Sequence, residues 1–153
     1  MRPMWQVLVM VYSIAVALNY PWELAQSPLF TPASLIGNVW FHCFISSLGD
    51  GMMVLLLFGF VWLALRRCDW FIRPGLRGYG VLLVAGALLA VLIEWIAVHV
   101  IHRWTYTAAM PLVPGLAIGL VPVLQMVLLP PLIFRIVAAM NAAGIRNCTR
   151  ASA

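Results

Sequence analysis

Asp50 and Glu94 stand inside apolar runs of a chain that has only 4 acidic residues, and Glu23 follows about twenty mostly apolar residues in YPWELAQSPLF, residues 20–30. An unpaired carboxyl at the centre of a membrane helix costs about 2.5–3.5 kcal/mol on insertion scales, so such groups face each other, a polar partner or water. If Asp50 and Glu94 meet, they share a proton. That is the arrangement of a general acid–base pair, and equally of a proton-coupled site. His42 and His102 complete the candidate catalytic set. The passive alternative is two neutral acids that simply hydrogen-bond between helices.

A second group reads as binding. Trp95 is next to Glu94, and an indole face there could stabilise developing positive charge. Glu23, His99, Trp104, Tyr106 and Gln125 are the other binding candidates. For Glu23 the bland alternative is a carboxylate at headgroup level, and for Trp104 and Tyr106 it is membership of an interfacial aromatic belt. No fixed-spacing motif is present: there is no G-x-S-x-G, H-E-x-x-H, P-loop or dinucleotide fingerprint. Cys43, Cys68 and Cys148 are far apart without paired spacing, which argues against a redox relay or zinc site. His42, His99 and His102 lack a local ligand motif, so neither a metal nor any other cofactor is expected.

The elements that must position these groups follow from composition. The 153 residues are 65% hydrophobic and 8% charged, with mean hydropathy +1.04. A soluble domain of this size could not hide so much apolar surface. The expected fold is therefore all-α, a single integral membrane bundle. It has four transmembrane helices at about 4–20, 39–65, 79–103 and 115–140, and a cytoplasmic tail over 141–153. Pro21 is expected to end the first helix, and Pro122, Pro130 and Pro131 to kink the fourth. One competing reading takes the first run, with Arg2 and Ala15-Val16-Ala17, as a cleaved signal peptide. Aromatics bracketing the run favour a retained span.

The net charge of +5 comes from arginine alone, as the chain has no lysine. Arg66, Arg67, Arg73 and Arg77 crowd the 66–78 connection, whereas residues 21–38 carry no basic group. The positive-inside rule then places both termini and that loop in the cytoplasm. The charge reads as orientation and headgroup contact and not as nucleic-acid binding. Trp5, Trp62 and Trp70 should mark the inner interface, and Trp22, Trp40 and Trp104 the outer one. A bacterial inner membrane is the expected location.

Asp50 is ten residues after Trp40, and Glu94 ten before Trp104, so each acid should lie roughly 15 Å below the outer interface. On the second helix His42, Ser46, Gly49, Met53 and, at the edge, Asp50 share a side. Gly86, Ala90 and Ala97 make a small-residue stripe on the third, and Gly115, Gly119 and Pro122 another on the fourth. Trp95, His99 and His102 fall on a different stripe, with Glu94 between. Residues 27–32 and the segment RWTYTAAMPLVPG are apolar enough to roof a pocket opening toward the outer leaflet. The leading expectation is such a pocket, binding or converting an apolar, lipid-like or isoprenoid-like molecule by acid–base chemistry. The alternatives are an assembly subunit of a larger membrane complex, with a protein partner or a second copy, and a proton- or cation-coupled transporter subunit.

Overall fold

The structure, a computed structural model, describes residues 3–32 and 38–151, with side chains through residue 142. Arg2 and residues 33–37 lie outside the described residues, as do the side chains of Arg146 and Arg150. The chain forms α1 (Met4–Gln26), a 3-10 turn (Ser27–Leu29), α2 (Val39–Leu65), α3 (Gly75–Trp95) continued by a π turn (Ile96–Val100), and α4 (Leu120–Ala151). Among the described residues four helical stretches are long and apolar enough to cross a membrane. The protein is thus a multi-pass, all-helical membrane bundle. In it α1 packs on α2 and α4, and α3 on α4 and α2, closing a ring of four.

Several boundaries differ from the sequence expectation, each for a local reason. Pro21 does not end α1. The helix runs on to Gln26, so the cost is the single backbone N–H that proline lacks, which membrane helices tolerate. This moves Glu23 from a connection onto a helix face. The Asn38 side chain caps α2 by accepting from the Phe41 N–H at 2.8 Å, and Arg66 ends it with a left-handed φ of 55°. α3 starts at Gly75 and not at 79, because the Pro74 carbonyl accepts from the Gly78 N–H at 2.9 Å. α4 starts at Leu120. The preceding residues fold back on themselves, with Val113 N–H donating to the Ile118 carbonyl and Leu120 N–H to that of Pro111, both at 2.8 Å. Gly115 and Gly119 are therefore loop residues and no helical stripe. At its other end α4 continues through Pro130 and Pro131 to Ala151, so most of the expected tail is helical.

Close approach between different helices falls at Gly86 and Gly51. A Cβ on Gly86 would lie 2.6 Å from the Met126 carbonyl oxygen, which places α3 directly against the backbone of α4. Gly51 meets the Tyr12 ring in the same way, whereas Gly49 has nothing within 4 Å and plays no part in packing. The half of the bundle nearest the arginine-rich loop is filled by Val7, Val11, Val54, Leu57 and Ile133, closed by an aromatic cluster of Phe58, Trp70, Phe71 and Phe134. Trp70 meets Phe134 edge-on at 4.9 Å and is 1% exposed, so it belongs to the core and not to a belt. Trp5, Trp40 and Trp62 do stand on the surface.

Candidate functional site

Away from that aromatic cluster, toward the arginine-poor end, the bundle becomes polar. Continuing α1 through Pro21 puts Asn19, Glu23 and Gln26 at i, i+4 and i+7, on one face. Gln125 of α4 is 2% exposed and stands opposite them. Its Nε2 donates to Asn19 Oδ1 at 2.7 Å, Asp50 Oδ2 at 3.0 Å and Glu23 Oε1 at 3.2 Å. Two hydrogens serve three acceptors, so one N–H is shared. Gln26 Nε2 donates to Glu23 Oε1, and to Gln125 Oε1 at 3.0 Å. Asn19 anchors the chain of bonds by donating to its own helix at the Ala15 carbonyl, 2.8 Å. One amide thereby joins three helices.

The acids pair differently from the expectation. Asp50 neighbours Glu23, both carboxyls accepting from the same Gln125 Nε2, and does not bond Glu94. Glu94, 6% exposed, instead accepts from the Tyr106 hydroxyl and, at 3.4 Å, from Trp104 Nε1, both at Oε2. Its Oε1 has no protein donor among the described residues. The expected 15 Å between Trp104 and Glu94 fails because α3 ends in the π turn and the chain turns back. Trp104 thus dips toward Glu94 instead of marking an interface. Outside the spans, burial and then the adjoining Glu94 carboxylate push the Tyr106 phenol above the ordinary tyrosine range.

Between these groups is a cavity of about 140 Å³. His42, Ser46, Asp50 and Met53 of α2 line it as expected, with Glu23 and Gln26 of α1, Glu94 of α3, and Pro122, Gln125 and Met126 of α4. Phe30, Arg103 and Trp104 close it from the two loops. Those loops are stitched together. Phe30 and Tyr106 form an antiparallel bridge flanked by bonds from Thr31 N–H to the Thr105 carbonyl (3.0 Å) and Thr107 N–H to that of Leu29 (2.9 Å). The Thr31 and Thr105 hydroxyls meet at 2.7 Å.

Of the ten residues singled out from sequence, Asp50, Glu94, His42, Glu23, Trp104 and Gln125 line the cavity, and Tyr106 supports Glu94 from behind. Trp95, His99 and His102 do not line it. Trp95 is 46% exposed on the outer face of α3 and lies 5.9 Å from the His99 ring, which itself reaches the Leu116 carbonyl at 3.1 Å. His102 bonds the Val98 carbonyl at 2.9 Å. Asn19, Gln26 and Arg103 were missed. The first two carried a readable signal, their i, i+4, i+7 spacing with Glu23, which the terminator reading of Pro21 concealed. Arg103 carried none. Set against protein-family models, curated proteins and solved structures, the chain matches none of them, so its site is interpreted from its own geometry.

Proposed function

We propose that the protein takes the ring- or isoprene-sized end of an apolar, membrane-dissolved molecule into this cavity and moves a proton on it. The carrying observation is that Glu23 and Asp50, joined by one Gln125 amide, line the same space of about 140 Å³ as Glu94. Such a volume suits one six-membered ring, since an engineered apolar cavity of about 150 Å³ binds benzene. The rest of the ligand would remain in the lipid. In the simplest step the Glu23–Asp50 pair delivers its proton to one carbon of a double bond. Glu94 removes a proton from the carbon next to its other end, so the double bond shifts without changing the ligand's composition, and the proton gained by Glu94 returns to the pair before the next turnover. The Trp104 indole lines the space and offers the π face that the sequence reading assigned to Trp95.

Two features favour this reading over its alternatives. An assembly subunit would need its acids to seek a partner, yet here their donors come from the chain itself. A transporter subunit would need a polar route onward, but the adjoining half of the bundle is filled by aliphatic and aromatic side chains. Arginines 66, 67, 73 and 77 support a cytoplasmic placement of that half, with the cavity in the outer leaflet of a bacterial inner membrane and both termini inside. Native mass spectrometry in mild detergent tests the proposal, comparing wild type with Asp50→Asn and Glu94→Gln. A small apolar molecule held by wild type and lost from either variant is the expected result. A protein partner or defined oligomer dissociated by the same changes, with no small molecule, would mean that the acids hold an assembly together.

A further inference from the structure

The cavity holds a cation that its acids do not use. Arg103 lines the same space as Glu23, Asp50 and Glu94, yet among the described residues the one ion pair is Arg67–Asp69, in the loop at the other end of the bundle. The acids take their hydrogen bonds from neutral donors instead, the amides of Gln26 and Gln125, the Tyr106 phenol and the Trp104 indole. A guanidinium presents five N–H donors in a planar fork that matches a carboxylate or phosphate. Leaving it unpaired beside three carboxyls keeps that fork open.

The backbone goes out of its way to put it there. Continued as a regular helix, α3 would carry Arg103 about 13 Å beyond Glu94 along the axis. Instead the helix widens into the π turn, where Ile101 N–H reaches the Ile96 carbonyl at 3.0 Å. His102 then takes a φ of 49°, and Arg103 N–H bonds back to the Ala97 carbonyl at 2.7 Å. A π turn and a left-handed non-glycine residue are both unfavourable for a chain with a Cβ, and both concentrate at functional sites. His42 lines the same cavity.

We infer that Arg103, with His42 beside it, is an oxyanion-binding rim, and that the ligand carries a carboxylate or phosphate close to its reacting group. The three acids repel an anion from the floor and leave it the rim, which orients the ligand with its charged end outward. This inference rests on the reading of the cavity as a ligand pocket. The oxyanion is either the head of an amphiphile or a water-soluble carboxylate, and the test separates the two.

Labelled oleate, oleyl alcohol and acetate are titrated against the protein in phosphatidylcholine nanodiscs, with empty nanodiscs subtracted. The variants are Arg103→Gln and Arg103→Lys, each checked for an unchanged melting temperature. Wild type should bind oleate at least tenfold more tightly than oleyl alcohol. Arg103→Gln should abolish that preference, and Arg103→Lys should keep part of it, since lysine retains the charge but not the fork. Saturable acetate binding that needs Arg103, without oleate binding, assigns the rim to a water-soluble anion. Equal binding of oleate and alcohol, untouched by Arg103→Gln, overturns the rim and leaves the pocket standing. No protein-dependent binding of any of the three overturns both.

Discussion

Replacing Gln125 by leucine removes the amide that joins α1, α2 and α4 while nearly preserving volume, so no cavity contribution enters. Four side-chain bonds are lost, to Asn19, Glu23 and Asp50 from Nε2 and from Gln26 at Oε1. Interhelical bonds of this kind average about 0.6 kcal/mol in membrane proteins, which gives about 2.4 kcal/mol. Asn19 is 0% exposed, and its orphaned oxygen adds about 1 kcal/mol or more. The expected loss is therefore about 2–4 kcal/mol. Reversible unfolding by dodecyl sulfate in mixed micelles, followed by tryptophan fluorescence, measures it. Combining Gln125→Leu with Asn19→Leu removes the orphan, so the double variant should be at least about 1 kcal/mol more stable than the sum of the single losses implies. A loss under about 0.5 kcal/mol, or strict additivity, would refute the claim that this amide ties the helices together.

Gly86→Ala should cost about 1–3 kcal/mol in the same assay, because the new methyl meets the Met126 carbonyl and backbone cannot yield as a side-chain tip can. Gly49→Ala, in open space, should be neutral or stabilise by up to about 1 kcal/mol; a matching loss at both positions would dismiss the contact. The Tyr106 phenol is held above the ordinary range in the folded protein, so its contribution is fully present below about pH 10 and is lost as pH rises above that. With no lysine to titrate alongside it, melting curves from pH 8.5 to 11.5 should fall more steeply for wild type than for Tyr106→Phe; parallel curves would contradict the assignment. Thr31→Cys with Thr105→Cys should form a disulfide across the stitched loops, slow the exchange of any retained ligand, and release it on reduction. Exchange at the same rate in both redox states would mean that the roof is not the way in.

The fold was legible because it depends on averages. Apolar runs of sufficient length dictate spans, and the arginine-rich connection separates the second from the third whatever the exact boundary. The α2 face was legible too, since His42, Ser46, Asp50 and Met53 sit in an uninterrupted helix where i, i+4 counting is safe. Counting failed where the backbone departs from a single rule. Pro21 reads as a terminator in water, where a lost hydrogen bond is easily replaced by solvent and the helix has no reason to continue. In a bilayer, unravelling would expose further backbone groups to lipid, and continuing with one bond missing is the cheaper course. A terminator at Pro21 puts Glu23 in a loop and leaves Asp50 to pair with Glu94, whereas the continued helix sets Glu23 and Asp50 on one Gln125 amide. Trp104 failed for the opposite reason. The run to Arg103 reads as helix to its end, but the π turn and His102 reverse the chain, information that lies in a few dihedral angles and not in residue type.

The choice of donors around the acids bears most directly on chemistry. Had Arg103 paired with Glu94, the carboxylate would be neutralised and protonating it would break an ion pair, which in a low-dielectric site is costly. Bonds from amide, phenol and indole impose no such lock. A carboxyl held by Gln125 or Tyr106 keeps its position whether or not it carries a proton, because the donor approaches one oxygen and the proton can sit on the other. Position fixed and charge variable is what a group that gives or takes a proton requires. The same arrangement explains why the guanidinium stays unpaired among carboxyls. If the acids are to change charge during a cycle, the Arg103 guanidinium serves better as the binding site of a ligand than as the counterion of any one of them.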